Sequence, residues 1–183
     1  MKQRIRLMVA PTGHQPGNYV PETGPVKQGA ATRHLDLEVL PHGNGWRIGL
    51  RWPAPEPVRD MEGDPGRFVD AAALMVPLDN QADWLTMGSE KHPVEGLLWR
   101  ANAQGVQRFS ARGLGTTERG GACSDTVVEV SRGGGQWQVL LMLERWSRLT
   151  EQRKLGIAIW QGHLGERAGL KSVSPGWVEV GRG

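Results

Sequence analysis

One cysteine, Cys123, stands in a chain of 183 residues. No disulfide can therefore form within the chain, and it cannot by itself build a zinc or iron–sulfur site from several thiolates. Excess charge is equally scarce. The 22 Lys and Arg against 19 Asp and Glu leave a formal net charge of +3. Basic and acidic residues are interspersed with no long basic run, which disfavours nucleic-acid binding despite a pI near 9.4. No apolar run approaches the roughly 20 residues of a membrane span. The apolar stretch Leu7–Ala10 ends at Pro11 and is too short for a signal-peptide core. The expectation is a chain without a membrane span that, if exported, either has lost a signal or travels with a partner.

Recognisable catalytic motifs are missing too. There is no GxSxG, HExxH or GxxxxGK[ST], and the five histidines (14, 34, 42, 92 and 163) have no paired spacing. A self-sufficient active site is not expected.

What is present is β-structure and turns. With 38% hydrophobic residues, 26 Gly and 12 Pro, the chain reads as one globular domain of many short elements. LDLEVLPHGNGWRIGLRW (35–52) alternates apolar and polar residues on both sides of HGNG, the pattern of a hairpin. PAPEPVRDMEGDPG reads as a surface loop, and FVDAAALMVPL (68–78) as a strand buried on both sides. VEGLLWRANA is a further strand, and SARGLGTTERGGACSD a long polar loop. TVVEVSRGGGQWQVLLMLER is a second hairpin with Trp137, Val139 and Leu141 on one face. LGIAIWQG is another buried strand, WVEV closes a sheet edge, and RWSRLTEQRK (145–154) is the one helical candidate. The sum is an all-β fold: a two-sheet antiparallel β-sandwich with long loops and few short helices.

Aromatic usage is lopsided, with eight Trp against two Phe and one Tyr. Core packing accounts for most of them, Trp46, Trp137 and Trp160 lying at strand positions. A display of tryptophans on one face would instead mark a non-redox module binding carbohydrate or another ligand. Met87, in WLTMGSEK at the edge of an apolar run, reads from its context as a gap-filling core residue or as a sulfur ligand to a metal.

FVDAAALMVPL, WLTMGSEKHPVEGLLWRANA, GGQWQVLLML and GIAIWQGHLGERAGLKSVSPGW occur in this order between about Leu35 and Val180. In them the chain resembles the haem b-binding gamma subunits of the ethylbenzene dehydrogenase and dimethylsulfide dehydrogenase group of molybdenum enzymes, with the gamma subunits of selenate and chlorate reductases. The resemblance implies that residues 35–183 form a β-sandwich holding one haem b between its sheets or loops. Residues 1–34 would form an N-terminal extension packed on partner subunits. It also implies axial iron ligation by the methionine of the MG motif, Met87, and the lysine of ERAGLKS, Lys171. His163 is the alternative second ligand and His92 a weaker one; Arg100, Arg167 and Lys91 are candidate partners for the haem propionates.

The role implied is electron transfer, without catalysis in this chain. It would relay electrons between an iron–sulfur beta subunit, beside a molybdopterin-containing alpha subunit, and an external carrier such as a cytochrome c. The location implied is the periplasm, by co-export with the alpha subunit; a cytoplasmic complex is the alternative.

Overall fold

The computed structural model describes residues 1–11, 30–60, 66–123 and 126–181. The described residues fold into two antiparallel sheets. The first has five strands: β1 (Lys2–Arg6), β3 (His34–His42), β4 (Gly45–Pro53), β10 (Gln136–Leu143) and β9 (Thr126–Gly133), in that spatial order. The second has eight, running β2 (Met8–Val9), β12 (Ser172–Val173), β11 (Lys154–Trp160), β5 (Ala71–Pro77), β6 (Val94–Arg100), β7 (Val106–Ala111) and β8 (Glu118–Ala122), with β13 (Val178–Glu179) also paired to β11. The first ten residues, within the stretch read as an extension, thus supply an edge strand to each sheet. Residues 12–29 of that stretch lie outside the described residues.

Both expected hairpins form, and their turns explain their registers. His42 pairs with Gly45 around a two-residue turn whose first residue, Gly43, has φ +56°. Gly133 pairs with Gln136 around Gly134 and Gly135, at φ +58° and +70°. Two-residue hairpin turns need positive φ to match the strand twist, and glycine adopts it without a Cβ clash. The helical candidate is α1 (Ser147–Gln152), pinned by the fully buried Leu149.

Alternation then decides what each strand buries. In β3, Leu35, Leu37 and Val39 point inward; in β4, Ile48, Leu50 and Trp52; in β10, Trp137, Val139 and Leu141. From the second sheet they meet Ala72, Leu74, Val76, Leu97, Trp99, Ile157 and Ile159. Trp52, Trp99 and Trp137 stack edge to face at 5.9 and 5.2 Å between centroids. The space between the sheets is filled by side chains.

One expectation is corrected. The stretch SARGLGTTERGGACSD, read as a loop, contains the end of β7 and all of β8. β8 is an edge strand exposed at every position, with a register irregularity against β7 between Gln107 and Phe109. A strand that buries nothing carries no apolar alternation to read. Residues 61–65 of the proline-rich loop, like Ser124 and Asp125, lie outside the described residues.

Candidate cofactor site

The outer faces of the two sheets differ in kind. On the five-stranded sheet the outward side chains form ion pairs, Lys2 and Arg47 with Glu38 at 2.8 Å each, and Arg4 and Arg51 with Asp36 at 2.7 and 2.8 Å. That face is solvated. On the eight-stranded sheet the outward residues fall into rows of directly opposed partners: Phe109, Gly96, Met75 and Gly156; Leu98, Ala73, Ala158 and Val173; Arg100, Ala71 and Trp160. Opposed residues in an antiparallel pair project from the same face. The rows therefore describe an apolar floor whose central strands, β5 and β11, carry mostly alanine and glycine.

Loops roof this floor over a cavity of about 780 Å³, within the roughly 300–1,000 Å³ common for ligand sites. Trp84, Leu85 and Met87 come from the β5–β6 connection, Leu114, Gly115 and Thr117 from the β7–β8 connection, Arg167, Ala168, Gly169 and Lys171 from the β11–β12 connection, and Trp160 from the end of β11. The cavity lies outside the sandwich core, against one sheet only.

Met87 is held in a strained backbone. Its φ is +57°, a left-handed value uncommon for a side chain of its size, followed by Gly88 at +80°. Surrounding bonds impose the geometry: Met87 donates to the Trp84 carbonyl at 3.3 Å, Gly88 to Asp83 at 2.8 Å, and Gly113 donates to the Met87 carbonyl at 3.2 Å. A Cβ on Gly88 would stand 2.5 Å from the His92 carbonyl oxygen, so glycine is required there. The turn carries the methionine side chain onto the apolar cluster of Met75, Phe109 and Trp84.

Lys171 directly precedes β12, opposite the end of β11. Its carbonyl accepts from the Ala10 N–H at 2.9 Å, and its Nζ lies 5.1 Å from the centroid of the Trp160 ring. The side chain keeps some accessible surface because it lines the cavity. Packing atoms around it still desolvate the amine and push its pKa down from 10.5 to about 8. Removal from water disfavours the ammonium and brings the neutral, electron-donating form within reach.

Of the other residues singled out from sequence, Arg100 and Arg167 also line this cavity. Burial lowers the Arg100 pKa, with the like charge of Arg119 adding to it. Arg167 stacks over Phe68 at 4.6 Å. Lys91 is exposed and does not line the cavity; nor do His163 and His92, the latter paired to Asp79 at 3.0 Å. Trp160, grouped by sequence with core residues, instead walls the cavity. All eight tryptophans are accounted for: Trp46, Trp52, Trp99, Trp137 and Trp146 are buried, and Trp84, Trp160 and Trp177 are half-buried beside the cavity cluster, none of them exposed.

Sequence reasoning missed the groups that fix the loops. Asp70 is 1% exposed and accepts from Val58 N at 3.0 Å, Gly162 N at 2.7 Å and Trp137 Nε1 at 2.8 Å. It ties β5, β10 and the turn opening the β11–β12 connection to one point. Buried Glu166 accepts from Gln161 N at 2.8 Å and meets Ser172 Oγ at 3.3 Å, while Ser172 Oγ accepts from Thr32 N at 3.0 Å. This network brackets the segment that ends at Lys171. A lone acidic residue opening the apolar run DAAALMVPL was the only available signal for Asp70, since a carboxylate entering a core must find donors.

No family model matches the chain. Two curated proteins do. One, from Haloferax mediterranei, is named as a respiratory nitrate reductase heme subunit; it is 31% identical over 138 residues, covering 69% of this chain and 48% of that protein. The other is the chlorate reductase subunit gamma of Ideonella dechloratans, 27% identical over 160 residues, covering 82% of this chain and 66% of that protein. The chain thus spans about half the length of the first and just under two thirds of the second. The relatives agree with the resemblance carried by the chain's own motifs: this protein is a relative of the haem and gamma subunits of reductases.

Proposed function

We propose that this chain is a b-type cytochrome, the electron-transfer gamma subunit of a molybdopterin oxidoreductase, and that its haem sits in the roofed cavity on the outer face of the eight-stranded sheet. The observation that carries the reading is a thioether and a desolvated amine lining one cavity over a floor of alanine and glycine. A small-residue floor suits a flat, mostly apolar ring, and rim guanidiniums suit its anionic substituents.

A haem held by two protein side chains would supply one-electron storage with no coordination site left for substrate. In this reading Met87 and Lys171 are the side chains that would hold its iron. The neutral, soft thioether favours the reduced metal and raises the potential. Burial holds Lys171 toward its neutral form, and Trp84, Trp160 and the β7–β8 loop exclude water. Arg100 and Arg167 neutralise propionate charge at the rim. The partners are a molybdenum alpha subunit and an iron–sulfur beta subunit, with an external carrier such as a cytochrome c, and the complex works in the periplasm after co-export. Among the described residues no helix is long and apolar enough to cross a membrane.

The test is optical. Full-length chain supplied with haem during expression should give sharp reduced b-type bands, and Met87→Ala and Lys171→Ala should each remove the six-coordinate low-spin spectrum. A preparation that stays colourless with haem in excess overturns the reading. The competing sugar-binding module would need an exposed aromatic platform, and none of the tryptophans is exposed.

A further inference from the structure

Arg100 and Arg119 come to the cavity from different strands. Arg100 ends β6, in the row with Ala71 and Trp160; Arg119 lies in β8, directly opposite Phe109 and so on the same face. Both line the cavity. Among the described residues neither forms an ion pair with a carboxylate, although Lys2, Arg4, Arg47, Arg51, Arg112 and Arg148 all do. Two guanidiniums near each other at the margin of an apolar cavity repel, and partial burial of Arg100 sharpens the repulsion. A ligand bearing two negative charges removes that cost and gains charge-assisted, potentially bidentate bonds.

We propose that Arg100 and Arg119 form a two-guanidinium clamp for a ligand carrying two carboxylates on an apolar body, which, on the reading above, are the two propionates of the haem. The clamp sets the ring's orientation. Carboxylates turn toward the β6–β8 side of the cavity, and the apolar edge turns toward Met75, Trp84 and Gly156. Arg167 plays a lesser part, because its guanidinium already stacks on Phe68 and donates to the Gly165 carbonyl at 3.3 Å. Glu166, the carboxylate that lines the same cavity, is occupied by Gln161 N and Ser172.

The experiment compares protohaem with its dimethyl ester, which keeps the ring and loses both charges, in titrations of haem-free full-length chain followed at the Soret band. Wild type should bind protohaem about tenfold or more tightly than the ester, the yield of at least one charge-assisted contact. R100Q/R119Q should bind the two with nearly equal affinity while keeping the wild-type low-spin spectrum, and R100K/R119K should recover part of the preference. Equal binding of both forms by wild type overturns the clamp and leaves the haem reading standing; so does a full preference retained in R100Q/R119Q. If wild type binds neither form, both the clamp and the haem reading fail. The wild-type comparison needs no variant, so a folding defect in the glutamine protein cannot mask the result.

Discussion

The Nζ of Lys171 lies 5.1 Å from the centroid of the Trp160 ring, and Trp160 is itself fixed by its indole N–H donating to the Ala168 carbonyl at 3.0 Å. The ring therefore cannot turn without breaking a bond to the same connection that leads into the lysine. The amine meets an aromatic face that attracts it when charged, in a place whose burial favours it uncharged. Desolvation prevails, since the pKa falls to about 8. Trp160 and Lys171 form one unit held by the β11–β12 connection.

That unit gives stability a definite pH dependence. The pKa of Lys171 is about 8 in the fold against an ordinary 10.5. Between those values the unfolded chain binds more protons than the folded one, so stability rises with pH across this window and the full burial penalty applies below it. The unfolding temperature of the haem-free protein, measured from pH 7 to pH 10, should gain on that of Lys171→Met as pH increases. Parallel curves would contradict this.

Met87 can be separated into backbone and side chain. Met87→Gly releases left-handed strain of about 1–2 kcal/mol and loses a side chain that is only half-buried. The haem-free variant should unfold no earlier than wild type, yet should fail to give the low-spin spectrum. Gly88→Ala should do the opposite to stability, because its Cβ would press on the His92 carbonyl and Pro93. A loss of about 2 kcal/mol is expected from strain at that φ.

Filling the floor is a third test. Ala158 faces the cavity from β11, beside Ala73 of β5. Ala158→Leu adds apolar volume where space exists, so the haem-free fold should keep or raise its unfolding temperature, while haem uptake should fall about tenfold or more from steric exclusion. Unimpaired uptake would move the site away from this face.

Asp70→Ala removes the acceptor for Val58 N, Gly162 N and Trp137 Nε1 together. Stranding three buried donors should cost about 3 kcal/mol, read as a lower midpoint in urea with an unchanged slope. The same variant should weaken haem binding, since the turn at Gly162 opens the connection that carries Lys171.

Strands with one buried face were legible in the sequence because alternation in LDLEVL and WRIGLRW maps directly onto burial, and the glycines fixed the turns. β5 was legible as buried but not in what covered it: Ala71, Ala73 and Met75 face the cavity and Ala72, Leu74 and Val76 the core, and all are apolar. β8 was unreadable because it buries nothing. At the site, the resemblance pointed to Met87 and Lys171 and charge to Arg100, Arg167 and Lys91; the first four line one cavity, whereas Lys91 and the alternative ligands His163 and His92 do not. Arg119 was not named, since an arginine in ERGG has no local mark; only the pairing of β8 with β7 carries it there. Long-range hydrogen bonds such as Asp70 to Trp137, 67 residues apart, leave little local trace.

Strand β5 has one more consequence. Ala72, Leu74 and Val76 pack the core while Ala71, Ala73 and Met75 face the cavity, so alternate residues of one strand answer to two different tasks. A saturation library over this strand should sort by parity: lesions at 72, 74 and 76 reduce soluble yield, whereas those at 71, 73 and 75 give well-expressed protein that is pale.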